Sequence, residues 1–155
     1  MTGRTGLPAD FIWAPLVPEL LVSDLDESLA FWCGMLGFRI AYDRPEERFA
    51  YLDLSGAQLM LEERSEHQRQ WVTASLAQPL GRGVNFQVQV DDCEPALERL
   101  ALAGWPLFAE PEEAWYRVDE AETGVRQFLV QDPDGYLVRV ASPLGERTRS
   151  RSALQ

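Results

Sequence analysis

The segment Val22-Ser23-Asp24-Leu25-Asp26-Glu27-Ser28-Leu29 (VSDLDESL) returns, altered but recognisable, as Val90-Asp91-Asp92-Cys93-Glu94-Pro95-Ala96-Leu97 (VDDCEPAL). Each copy follows an apolar strand-like run and opens a helical one, so the chain repeats one supersecondary unit. Ser23 or Asp24 can cap the first helix and Asp91 or Asp92 the second. The acids that follow fill the first turn, where the helix dipole favours them. Pro95 is tolerated there because a first-turn N–H has no intrahelical acceptor. Leu25, Leu29, Trp32, Cys33 and Leu36 form one apolar stripe; Leu97, Leu100 and Ala101 form the other. Both helices run into a glycine followed by an aromatic, Gly37-Phe38 and Gly104-Trp105, as a left-handed C-terminal stop requires.

Strand signals follow each helix. In the first copy they cover 38–42, 48–54 and 57–62, the last two joined by a tight turn at Ser55-Gly56. In the second they cover 106–109, 125–131 and 136–141, the last two joined by Asp132-Pro133-Asp134-Gly135. Each half reads as βαβββ. The fold class is α+β: two tandem βαβββ modules forming cupped mixed sheets with the helices packed outside. Module one spans 14–63, a polar linker 64–82, and module two 83–142, together one domain over 14–142. The tails 1–13 and 143–155 read as flexible, and FAEPEEAWYRVDEAETG (108–124) as an acidic loop inserted in the second copy.

A chain of 155 residues with 46% hydrophobic content can bury a real core. No apolar run approaches a membrane span, and the N-terminal residues lack a signal-peptide core; a cytoplasmic protein with no membrane partner is expected. Cys33 and Cys93 make no metal-binding spacing and read as reduced thiols, Cys93 as a small buried filler. The net charge of −11 disfavours nucleic acid and favours cationic partners. All fourteen basic residues are arginines, which excludes Schiff-base chemistry and a Walker lysine. The one histidine, His67, lies in the polar run RSEHQRQW, and nothing around it supports a nucleophile–histidine pair.

The strand entering the second copy, Gly83-Val84-Asn85-Phe86-Gln87-Val88-Gln89-Val90, alternates strictly. Such alternation marks a half-buried strand. It assigns Phe86, Val88 and Val90 to the helix side, with Leu20, Val22, Leu59, Leu61, Val138 and Val140. Glu19, Gln58, Met60, Glu62, Asn85, Gln87, Gln89 and Arg139 fall on the other side. Water could cover such a face in an antiparallel sheet; a ligand fits its concavity better.

These motifs (V-S-D-L-D-x-S-L-x-F-W, L-G-F, G-V-x-F-x-V, R-x-F-x-V-x-D-P-D-G) resemble the vicinal-oxygen-chelate superfamily over residues 14–142. Its members include glyoxalase I, extradiol dioxygenases, and fosfomycin- and bleomycin-resistance proteins. In metal-using members, the resemblance implies four ligands at positions that fall here on Val17, Met60, Asn85 and Arg139. Val and Met offer nothing to a hard divalent cation, and Arg139 repels one. A one-residue slip would turn every side chain to the other face. A two-residue slip could use Glu19, Glu62 and Gln87, which keeps a metal-dependent glyoxalase- or dioxygenase-type enzyme as the alternative.

The pattern is most similar to the bleomycin-resistance proteins. This implies a homodimer that sequesters its ligand without catalysis, metal or other cofactor. The expected ligand is a cationic aromatic antibiotic or metabolite. The binding residues expected are Glu19, Phe49, Gln58, Met60, Glu62, Asn85, Gln87 and Arg139 on strands, with Trp71, Trp115 and Tyr116 supplied by loops. Aromatic rings and carboxylates suit a flat cation.

Overall fold

The computed structural model describes residues 6–149. The chain divides into two compact units: one runs through Arg82 and includes Asp132–Tyr136, the other takes Gly83–Gln131 and the residues from Leu137 onward. Among the described residues no helix is long and apolar enough to cross a membrane.

The first unit is built from β1 (Glu19–Val22), α1 (Leu25–Leu29), β2 (Arg39–Arg44), β3 (Phe49–Leu54) and β4 (Ala57–Glu63). Its sheet has the order β1-β4-β3-β2, with β1 parallel to β4 and the other pairs antiparallel. Asp24 caps α1, its carboxylate accepting from Glu27 N at 3.0 Å. The helix then continues as a wider π-helical turn over Ala30–Met35, which brings Phe31 and Trp32 into the core. Leu20, Val22, Leu52, Leu59 and Leu61 are buried with them. Each such side chain stabilises the fold by roughly 1.5–3 kcal/mol relative to exposure.

The second unit repeats the plan with β5 (Asn85–Gln89), α2 (Glu94–Leu102), β6 (Ala109–Val118), β7 (Ala121–Gln131) and β8 (Leu137–Thr148). Its sheet order is β5-β8-β7-β6, with β5 parallel to β8. Asp92 accepts from Glu94 N at 2.9 Å and so serves the start of α2. The helix stops where Gly104 adopts φ +64°, with Trp105 N bonded to Leu100 O and Gly104 N to Ala101 O. That pair of bonds is a Schellman closure, and the positive φ is why glycine stands there. Val88, Leu100, Phe128, Val130, Val138 and Val140 form the buried layer. Cys93 joins them fully buried, and both cysteines are free. Phe86 and Val90, expected in this layer, are half-buried.

Three expectations need correction. The acidic stretch 108–124 is no loop: β6 and β7 extend into a hairpin, paired from Glu112↔Gln127 to Val118↔Ala121. Its Glu-rich strand lacks the β-branched signal, and Pro111 sits at an irregularity in the ladder, where its missing N–H is harmless. The residues from 143 do not leave the domain, since β8 runs to Thr148 along this hairpin. At the other end, residues 11–14 are held against the first sheet, as described below. The tail expectations for 1–5 and 150–155 lie outside the described residues.

Candidate functional site

The register of the first sheet decides which side chains meet on the face away from the helix. Glu19 lies opposite Met60, Met60 opposite Tyr51, Tyr51 opposite Tyr42, Phe49 opposite Glu62, and Gln58 opposite Asp53. The expected group Glu19, Phe49, Gln58, Met60 and Glu62 therefore shares one face. A β-bulge between Ile40 and Tyr42 turns Ala41 and Tyr42 together toward it.

Aromatic rings floor that face. Tyr42 and Tyr51 stack with centroids 5.1 Å apart and an interplanar angle of 20°, and Phe49 lies 5.9 Å from Tyr42. The Arg44 guanidinium sits 3.9 Å from the Phe49 centroid. Phe11 and Trp13 meet the floor edge-on, Trp13 at 5.3 Å from Tyr51 and 6.0 Å from Tyr42. Val17 and Met60 pack against the same cluster. Trp13 remains 56% exposed, which leaves an indole open beside the floor.

Gln58 holds this arrangement. Its Oε1 accepts from Ala14 N (2.8 Å) and the Tyr51 hydroxyl (2.7 Å), while Nε2 donates to Ile12 O (2.7 Å) and Asp53 Oδ1 (3.1 Å). All four bonding positions of the amide are filled, so Gln58 is a clip for residues 12–14 with no capacity left over. Asp53 in turn pairs with Arg39 at 2.9 Å.

At the β1–β4 side, the Glu19 carboxyl is raised above the ordinary carboxylate range. Partial burial is the main cause, followed by a hydrogen bond to, and the charge of, Glu62; Arg44 opposes them. Glu19 and Glu62 form the acidic corner of this face.

In the second sheet, Gln87 lies opposite Arg139, Asn85 opposite Leu137, Leu129 opposite Arg139, and Gln127 opposite both Ala141 and Glu112. These residues share the face away from α2. Asn85 and Gln87 are exposed on β5. Gln127 Nε2 donates to Glu112 Oε1 (3.0 Å) and to the Tyr116 hydroxyl (2.7 Å). Gln127 Oε1 and Arg139 Nε are buried without a hydrogen-bond partner.

The expected loop aromatics come out differently. Trp115 and Tyr116 are consecutive on β6 and point to opposite sides. Tyr116 joins the Gln127 face; Trp115 lies over Gly124 with the Arg147 guanidinium 4.1 Å from its ring. Its π-surface is already occupied by a cation. Trp71 stands 79% exposed in the linker. The sequence reading missed Phe11, Trp13, Tyr42, Tyr51 and Gln127; the alternation of Phe49, Tyr51 and Asp53 was the available signal for one of them.

The donor set does not suit the superfamily's metal. Among the four implied positions only Asn85 offers a neutral oxygen, and among the described residues no three His, Cys, Asp or Glu side chains converge.

The family description "Glyoxalase/Bleomycin resistance protein/Dioxygenase superfamily" matches residues 15–140. A crystal structure of a glyoxalase/bleomycin resistance protein/dioxygenase superfamily member from Vibrio splendidus 12B01 is 37% identical. It covers 81% of this chain and 95% of its own, with a TM-score of 0.37. TioX from Micromonospora sp. ML1 is 23% identical, covers 85% of this chain and 100% of its own, and has a TM-score of 0.64. An integron cassette protein from V. Cholerae is 15% identical, covers 85% and 96%, and has a TM-score of 0.62. The last two likenesses are of fold. No curated protein matches the chain.

Proposed function

The chain belongs to the Glyoxalase/Bleomycin resistance protein/Dioxygenase superfamily, and on that premise we propose that it is a metal-independent binding protein that sequesters a cationic aromatic antibiotic or metabolite, acting as a cytoplasmic homodimer. The observation that carries this reading is the aromatic floor of the first sheet with a carboxylate pair at its edge. Tyr42, Tyr51 and the exposed Trp13 offer ring faces and edges, while Glu19 and Glu62 offer negative charge. A flat cation satisfies both at once, by stacking and by neutralising the pair. The net charge of −11 draws such a ligand in.

The stacking role expected of Trp115 passes to Trp13 and Tyr42 in this reading, because Arg147 covers Trp115. Titration with bleomycin, followed by tryptophan fluorescence, tests it: saturable quenching, weakened in Trp13→Ala, is expected. No response, together with no protection of host cells expressing the gene, rejects the drug-binding assignment.

The Glu19–Glu62 pair also favours the second reading, a metal-dependent glyoxalase- or dioxygenase-type enzyme. Two neighbouring carboxylates can share a divalent ion as readily as a proton. Stoichiometric zinc, nickel, manganese or iron that survives dialysis and disappears in Glu62→Gln would place this reading first.

A further inference from the structure

Besides Arg126 Nε, two buried polar atoms in the second sheet have no partner: the acceptor Gln127 Oε1 and the donor Arg139 Nε. Native proteins rarely bury such atoms unsatisfied, because each costs its full desolvation. They are also placed to work together. Leu129 pairs with Arg139 and Gln127 with Ala141, so Gln127 and Arg139 are diagonal neighbours on adjacent strands and on one face. Gln127 itself is 4% exposed.

The orientation of the Gln127 amide is set by its neighbours. Glu112 is an acceptor, so the group bonded to it at 3.0 Å must be the NH₂, whose other hydrogen meets the Tyr116 hydroxyl. Oε1 is thereby left as a buried acceptor with no partner. Arg139, one strand away, presents a fixed donor. We propose that this face is a subsite for a carboxamide: the ligand carbonyl accepts from Arg139 Nε and its N–H donates to Gln127 Oε1. The half-buried Leu129 and Leu137 beside Arg139 supply the apolar bed for whatever carries the amide.

Other groups fit less well. A carboxylate would satisfy Arg139 but face the Gln127 oxygen and the nearby Glu112 charge. An alkylammonium would satisfy Gln127 but meet the arginine. Only a group with an acceptor and a donor side by side answers both atoms.

The inference deepens the binding-protein reading and rests on it, yet it concerns a different sheet. The test uses wild-type protein and three small probes: benzamide, N,N-dimethylbenzamide, which lacks the N–H, and benzoate. Binding is read from the ¹H–¹⁵N peaks of Gln87, Gln127 and Arg139. Benzamide should shift these peaks saturably and bind about tenfold more tightly than either analogue, as expected for a bond left unmade to a buried partner. Arg139→Met, checked for an unchanged melting profile, should lose that preference. Equal binding of the three probes, tighter binding of benzoate, no saturable shift at these peaks, or a preference unchanged in Arg139→Met would each overturn it. Bleomycin titration of Trp13→Ala and Glu19→Gln reads the first sheet, so failure there with the benzamide preference intact sinks the drug-binding reading alone.

Discussion

The indole N–H of Trp32 donates to Asp132 Oδ2 at 3.2 Å, joining the first helix region to a turn 100 residues away within the same unit. Asp132 Oδ1 accepts from Asp134 N and Tyr136 N, both at 2.9 Å. Asp134 itself receives Ser23 N, the Ser23 hydroxyl and Gln78 Nε2. The Asp-Pro-Asp-Gly turn read from the sequence as a hairpin connector is thus also a buried polar fastening.

That fastening carries a pH signature. Burial pushes the Asp132 carboxyl up to about 6, against the lowering effect of its three hydrogen bonds. A folded-state value above the unfolded one means the native state holds the proton longer. The contribution of Asp132 is therefore full below about pH 4 and is lost as pH rises through about 6, by roughly 2–3 kcal/mol. Urea unfolding at several pH values should show this decline in wild type and a flatter profile in Asp132→Asn. The variant should also lose about 1 kcal/mol throughout, because its NH₂ opposes the Trp32 N–H.

Gln58→Leu should release residues 12–14 from the sheet. Ala14 N and Ile12 O lose their bonds, and the Tyr51 hydroxyl loses its acceptor. A stability loss of about 1–3 kcal/mol is expected. Trp13 should become more exposed, seen as red-shifted emission and greater acrylamide quenching. Emission unchanged from wild type would show that the aromatic packing alone fixes Trp13.

Gly124→Ala should unpair the hairpin locally. A Cβ at 124 would come within 2.6 Å of the Trp115 ring, so the indole must move off and leave Arg147. Overpacking of this kind costs about 1–3 kcal/mol. Thermal melts should show the loss, and Trp115→Ala should rescue part of it in the double variant. Neither change should alter bleomycin affinity under the proposed function, since this side of β6 lies opposite Tyr116.

Much of this was legible from residue order. The repeat placed both helices and their acidic starts, and the period-two alternation put Glu19, Met60 and Glu62 on one face before any register was known. What escaped depended on partners far along the chain. Tyr42 meets Tyr51 only because a bulge at Ala41 shifts the β2 register. Trp13 carries no periodic signal, and its position depends on Gln58, 44 residues from the amide it holds. β6 is a strand by virtue of its pairing with β7, against weak propensities of its own. Once it is a strand, Trp115 and Tyr116 cannot line the same groove.

Glu19 links the candidate site to pH. Its carboxyl is raised by partial burial and by Glu62, so its stabilising share is likewise lost as pH rises. A bound cation reverses the balance by favouring the ionised pair. Bleomycin affinity should therefore increase as pH rises through the elevated Glu19 titration, then level off. Glu19 is exposed and Glu62 half-buried, so the gain is a few-fold, equivalent to about 0.2–1 kcal/mol, and shrinks in high salt. Glu19→Gln should flatten the profile at the lower affinity, because the amide keeps the shape without the charge. Fluorescence titrations between pH 4.5 and 7.5, at about 50 and 500 mM salt, read both effects. Affinity that falls with pH, or a Glu19→Gln profile superimposable on wild type, would remove the carboxylate pair from the binding site and leave the aromatic floor to act alone.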